Sequence, residues 1–324
     1  MSKPKVSREE KMSMIQEKLE NGVRAIFESE NYKDYIRTMA KFPNYSINNC
    51  ILIASQRPDA SYVCGYKTWQ TEFNRTVNRN ESGIVIIAPV KYKADVDEPV
   101  YDENSHPVLG EDGKQKTEKV TKEFQGFRPA YVFDVAQTSG EPLPSLVHLL
   151  QGGVDDFEVI KSALIEISPV PVTFEPINSG ANGFYSPREK RIVVKEDLPE
   201  LQTIKTLIHE IAHAELGHGS EEDKFDRKTK EVQAESVAFW VAAMIGEDGG
   251  LDTSDYSFGY ISGWSKDKEV TELKESLDLI KETADSISSN LENALVKLQE
   301  KQETEAKSEE SVETMTENKR KKVR

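Results

Sequence analysis

Cysteine is nearly missing. Cys50 and Cys64 are the only two in 324 residues, which excludes the disulfide frameworks that hold small secreted domains together. No apolar run approaches the ~20 residues that a bilayer-crossing helix needs. The opening MSKPKVSREEK carries no apolar stretch of the signal-peptide kind. These absences predict a cytoplasmic setting with no membrane partner. Internal repeats are lacking as well. Histidine is scarce, at five residues, and three of the five stand within ten positions of one another.

What is present supports folded cores: 37% of the residues are hydrophobic and 31% charged. A chain of this length predicts two domains, because a single core seldom grows beyond ~250 residues. The net charge of −15 argues against a nucleic-acid partner, yet it is unevenly spread. Residues 1–95 hold 15 Lys and Arg against 11 Asp and Glu, a surplus of four, so −19 falls on the rest. A mildly basic front joined to a strongly acidic back permits nucleic-acid binding by the front without showing it.

Apolar positions Ile15, Leu19, Val23 and Ile26 recur at helical spacing and predict a helix over 7–29. Stretches 32–42 and 46–55 read as short helices separated by Pro43-Asn44. A strand at 61–65, a helix at 66–73 and a β-branched strand at 83–93 follow. The charged segment 94–122 predicts a long hairpin tip or an ordered insertion, with 130–138 returning to the same sheet. Gly140-Glu141-Pro142-Leu143-Pro144 marks a junction between domains 1–140 and 145–300. Beyond it come a helix at 155–167, strands at 170–174, 183–186 and 191–195, and helices at 198–216, 227–245 and 267–299. Residues 301–324, polar and without apolar periodicity, predict a disordered charged tail. The fold class is α+β in both domains, the second built from a small sheet and helices.

The chemistry concentrates in TLIHEIAHAELGH. Residues four apart on a helix share a face, so His209 and His213 can offer imidazole nitrogens to one Zn²⁺. Glu210, one position on, can reach a water at that metal without being a ligand, which is the general-base position of this motif. A catalytic zinc site takes three protein ligands and an open position. Downstream, EVQAE carries Glu231 and Glu235, again four apart. The combination resembles the gluzincin arrangement, which implies Glu231 as third ligand and Glu235 as the group orienting a histidine, with the reverse order as the alternative. His218 is a rival ligand, or an imidazolium at the helix C-terminus beside Gly217 and Gly219. The hairpin at 183–195 is placed to hold an extended peptide by main-chain pairing. Tyr185 on it is either a carbonyl-polarising group or a plain sheet residue.

In the front half, Tyr45, Asn48, Asn49, Tyr66, Trp69 and Arg75 interleave aromatic, amide and basic groups. That mixture suits single-stranded nucleic acid, whose bases stack on aromatic rings while cations follow the backbone. The competing reading makes the same aromatics core residues.

The order N-Y-S-x-N-N, G-Y-x-x-W, G-I-x-I-x-A-P, V-F-D-V-x-Q-T, H-E-I-A-H and E-V-Q-A-E-S-V-A runs through residues 10–265. In this order the chain resembles the ArdC-like antirestriction proteins of plasmids and integrative conjugative elements. The resemblance implies an N-terminal domain that binds single-stranded DNA and a C-terminal zincin-like metallopeptidase domain, also similar to the ImmA/IrrE group. It implies a mobile-element hydrolase acting on a protein or peptide and protecting incoming DNA. Two other readings stay open: a DNA-binding protein with a structural or inactive zinc site, and an ImmA-like regulatory peptidase without DNA affinity.

Overall fold

The computed structural model describes residues 7–28, 32–102, 106–109, 113–143, 157–245, 261–266 and 268–321. Helices and strands are mixed in both halves. In the front half, strand β3 (Ile84–Pro99) pairs antiparallel along its whole length with β4 (Thr117–Asp134). Strand β1 (Val63–Gly65) pairs with the end of β4, giving the order β1-β4-β3. Side chains of a strand alternate between faces. Ile84, Ile86 and Val132 are therefore buried on one face, while Val85, Ile87, Phe127 and Tyr131 lie on the other. Segment 94–122 is a hairpin: pairing continues to Pro99↔Thr117, and bridges Tyr101↔Pro107 and Leu109↔Gln115 extend it.

Helices α1 (Arg8–Glu28) and α3 (Ile47–Gln56) pack against the inner side of this sheet, with α2 (Tyr32–Ala40) beside α3. α4 (Tyr66–Thr71) follows β1, and β2 (Arg75–Val77) pairs with β5 (Thr138–Gly140). Two amides of α3 occupy the outer border of β3. Asn49 Nδ2 donates to Ile87 O and its Oδ1 accepts from Ile87 N, both at 2.9 Å. Gln56 does the same to Val85, at 2.9 and 3.1 Å.

The back half carries α5 (Phe157–Ile167) and a second sheet of β6 (Val172–Glu175), β7 (Gly183–Ser186) and β8 (Arg191–Lys195). Central β8 is parallel to β6 and antiparallel to β7, which leaves β7 at the edge. Helices α6 (Glu200–Glu215), α7 (Arg227–Met244), α8 (Ile261–Ser265) and α9 (Val270–Lys321) complete it. α7 is apolar on most sides, with Val232, Ala234, Val237, Phe239 and Trp240 all buried. A helix apolar all round needs neighbours all round, and α6, α9 and α2 supply them.

That last contact joins the halves. Front and back residues belong to one hydrophobic core. Phe27 meets Trp264 at 5.4 Å between ring centroids, and the Tyr32 hydroxyl lies 2.7 Å from Ser236 Oγ. Lys281 of α9 donates to the Pro43 carbonyl at 3.1 Å. The junction read at 140–144 begins as the ordered strand β5, and residues 144–156 lie outside the described ones. A continuous core of this kind argues against halves that fold independently.

The stretch 301–324, expected as a disordered charged tail, is helical as far as Lys321. α9 runs unbroken to Lys321, and residues 322–324 lie outside the described ones. The chain from Val270 onward contains neither Gly nor Pro. Glu, Lys, Gln and Ala all propagate a helix at little cost, so nothing local ends it once the packed part has nucleated it. Among the described residues, no helix is long and apolar enough to cross a membrane.

Candidate metal centre

α6 and α7 pack side by side and bring the polar residues of the two motifs to one cleft of about 640 Å³, bordered on its third side by β7. His209 and His213 stand one turn apart on α6, with their Nε2 atoms 3.1 Å from each other. Glu231 of α7 faces both, its Oε2 lying 3.7 Å from His209 Nε2 and 3.8 Å from His213 Nε2. These three are the group among the described residues whose ligand atoms converge closely enough to hold a metal ion. Ligands at zinc–nitrogen distances of ~2.0–2.1 Å in a tetrahedron are about 3.3 to 3.4 Å apart. The observed spacings bracket that value, so the donor set fits such an ion after shifts of a few tenths of an ångström.

Glu235 lies one turn beyond Glu231 and reaches the other side of His209, its Oε2 being 3.1 Å from Nδ1. The two carboxylates thus divide the ring between them. Burial is the strongest single influence on His209 and opposes its charge. Hydrogen bonds to Glu231 and Glu235 outweigh it together, and the imidazole pKa is pushed up to about 10. Correspondingly, bonds from His209 and His213 hold the Glu231 carboxyl well below the usual range. In the metal-free protein a proton on His209 supplies the positive charge that this acidic cluster requires.

Glu210 lines the same cleft but is not one of the three residues whose ligand atoms converge. Burial pushes its carboxyl up, against the pull of His209 and His213 and a hydrogen bond from the Tyr185 main chain. Gly183 makes this approach possible: a Cβ there would lie 2.6 Å from Thr206 Cγ2 and 2.9 Å from Val193 O. Tyr185 itself packs partly buried against the core, so its main-chain N–H rather than its ring meets the glutamate.

His218 stands outside the convergent group and is not a solvated imidazolium. α6 is capped by Leu216, and Gly217 adopts a left-handed conformation (φ +66°) that turns the chain back. His218 is then only 4% exposed, with Nδ1 at 2.8 Å from His213 Nδ1 and Nε2 at 3.1 Å from Gln233 Oε1. Burial pushes its pKa down to about 4, so it is neutral. A buried side chain cannot serve as the dipole-capping cation that its place at the helix end suggested.

The residues picked out in the front half fare differently. Trp69 is 0% exposed and donates from Nε1 to Phe133 O at 2.9 Å, which rules it out as a stacking platform. Asn49 is committed to Ile87, as described above. Tyr45 is half-buried, donates to Val63 O at 3.1 Å, and has its hydroxyl pushed up to about 12 by burial. Asn48 Oδ1 is buried with no hydrogen-bond partner among the described residues. Arg75 bonds Thr138 Oγ1 at 2.8 Å and Thr138 O at 3.0 Å, stitching β2 to β5. Tyr66 alone keeps an open ring, 47% exposed. Phe127 and Tyr131, not among the residues picked out, are 53% and 54% exposed on the outer face of the sheet. Their even spacing in Phe127-x-x-x-Tyr131 puts both on one face of β4.

Residues 165–245 match the family model of the IrrE N-terminal-like domain of a peptidase family. Residues 5–133 match that of the N-terminal domain of anti-restriction factor ArdC. Both family models thus match this chain, the ArdC one in the front half and the IrrE-like one in the back half. An uncharacterized protein of Bacillus anthracis is 26% identical over 93% of this chain. The chain spans about half, 54%, of that relative's length. Two crystal structures of antirestriction protein ArdC from the R388 plasmid are similar. The metal-free one is 18% identical with a TM-score of 0.40, covering 78% of this chain and 86% of its own. The Mn(II)-bound one is 16% identical with a TM-score of 0.46, covering 87% and 98%.

Proposed function

We propose that this chain is a zinc-dependent, peptidase-type antirestriction protein of the cytoplasm whose front half binds single-stranded DNA. The observation carrying the catalytic part is the convergence of His209, His213 and Glu231 from two helices, with the buried carboxyl of Glu210 beside them. Zinc held there supplies a Lewis acid and brings the pKa of water towards ~7. Glu235 orients His209 from its far nitrogen. Glu210, held by the Tyr185 N–H, takes a proton from water in the cleft and delivers it to the leaving amine. Its raised pKa suits both halves of that transfer. The edge strand β7 offers main-chain pairing to an extended peptide alongside. A purely structural metal site would have no use for Glu210, which favours a competent one.

Support for the DNA part comes from the family match over residues 5–133 and from the solvent face of the front sheet. Phe127 and Tyr131 stand on that face, and Tyr66 lies over Phe133, with ring centroids 6.3 Å apart. Exposed aromatic rings accept unpaired bases without sequence preference. The reading is tested by metal analysis of the purified chain together with titration of labelled single-stranded and duplex DNA at several salt concentrations. One zinc per chain and a preference for single strands that weakens with salt are expected. A chain that takes up no zinc, or that prefers duplex, overturns the corresponding part.

A further inference from the structure

We propose that His218 and Gln233 form a relay that fixes the tautomer of His213 and thereby sets how tightly the site takes a divalent metal; this rests on the zinc reading above. The relay starts from the orientation of the Gln233 amide. Gln233 is fully buried in α7, and its Nε2 lies 3.4 Å from Ser276 Oγ of α9. With the amide nitrogen turned to Ser276, the amide oxygen faces His218 Nε2 at 3.1 Å. That contact requires the proton of His218 on Nε2. A neutral imidazole carries one ring proton, so His218 Nδ1 has a lone pair and accepts from His213 Nδ1–H at 2.8 Å. His213 is left with a free lone pair on Nε2, the atom that faces His209 and Glu231.

With the amide oxygen towards His218, each later step excludes the wrong arrangement. With its proton on Nε2 instead, His213 would offer a metal no electron pair, and two lone pairs would meet at the His213–His218 contact. The other ligand ring is fixed differently, by Glu235 on His209 Nδ1. The site therefore orients its two histidines by two devices, a carboxylate for one and a neutral imidazole–amide chain for the other. The neutral chain also ties the ligand to α9, the helix that reaches back to Pro43 of the front half.

The test uses the full chain with ¹⁵N-labelled histidine. His218→Asn keeps an acceptor where Nδ1 stood, whereas His218→Leu removes it and Gln233→Met removes the group that directs it. In the metal-free wild type and in His218→Asn, the His213 ring nitrogens should report the proton on Nδ1. In His218→Leu and Gln233→Met they should report a mixture. Zinc affinity by chelator competition should fall about 10- to 100-fold in those two variants and by less than about threefold in His218→Asn, the range typical of partners behind a metal ligand. A tautomer unchanged in His218→Leu and Gln233→Met, or zinc affinity that does not follow the tautomer, overturns the relay. Equal loss in His218→Asn and His218→Leu also overturns it, since simple packing would then account for both. Wild type that takes up no zinc sinks the metal reading itself, whereas wild type that binds zinc alongside variants that match it sinks only the relay.

Discussion

In the back half, His209 and His213 sit one turn apart on a single helix and keep their polar atoms beside a cleft. In the front half, Trp69, Asn49 and Arg75 turn the same kinds of group inward and spend them on main-chain carbonyls and amides. The difference lies in how each arrangement is specified. A helix fixes the relation between positions i and i+4 by local geometry alone. Trp69 and Phe133, or Asn49 and Ile87, meet only because the chain has returned from 64 or 38 residues away. The histidine pair rests on short-range geometry, and these front-half contacts rest on long-range ones.

The contrast is broken most severely by removing a metal ligand. His209→Ala or His213→Ala should cost roughly a thousandfold or more in zinc affinity, because four-ligand structural sites bind zinc with ~10–16 kcal/mol and each of three ligands carries a large share. Chelator competition measures it, and full occupancy in both variants would remove the assignment. Glu231→Ala should weaken binding more than Glu235→Ala; the opposite order exchanges their roles. Glu210→Gln should retain the metal and lose hydrolysis by about 10²- to 10⁴-fold, the usual range for a positioned acid–base group.

Next in size come the aromatic residues of the front half. Trp69→Ala should destabilise the fold by about 3–5 kcal/mol in urea unfolding, as truncating a fully buried large aromatic does. Tyr131→Ala and Phe127→Ala should barely move the unfolding midpoint and instead weaken single-stranded DNA binding by about 1–3 kcal/mol each. A stability loss in the exposed pair would make them scaffold as well.

Acidity sharpens the other side of the comparison. His209, with its pKa pushed up to about 10, must shed a proton before a metal can take its place. Zinc affinity should therefore climb as pH is raised from 6 towards 9. In the metal-free protein the sign is opposite. The stabilising His209 charge is fully present below ~6.5, and it is lost as pH rises through about 10. Flat zinc affinity over that interval would show that His209 is not protonated in the free site. The smallest effect belongs to Tyr32→Phe, which removes one hydrogen bond between the halves and should cost about 1 kcal/mol. Unfolding transitions followed from the front and from the back should stay superimposed in that variant, as a shared core requires.

Legibility in the sequence follows the same division. The strands Gly183–Ser186 and Arg191–Lys195 and the histidine-bearing helix could be read because β-branched runs, turn residues and i, i+4 spacing are all local signals. The convergence of Glu231 on the histidines was legible only through resemblance, since it depends on how α7 lies against α6. Whether Trp69 faced water could not be read at all. A six-residue helix has too few turns to define a face, and the carbonyl that anchors the indole belongs to a distant strand. The relay through His218 and Gln233 was hidden for the same reason: His218 looks like a helix-ending residue until the third helix is in position.

The two amides that α3 lays along β3 bear on self-association. An outermost strand ordinarily offers free N–H and C=O groups to any extended chain that drifts past, including another copy of itself. At Val85 and Ile87 those groups are already taken by Gln56 and Asn49. Carboxamides hold no titratable proton, so this part of the border stays closed to recruitment whether the surroundings are acidic or alkaline. Asn49→Asp or Gln56→Glu would keep the shape but lose the donor, and the exposed carbonyl would be left to find a partner in a neighbouring molecule.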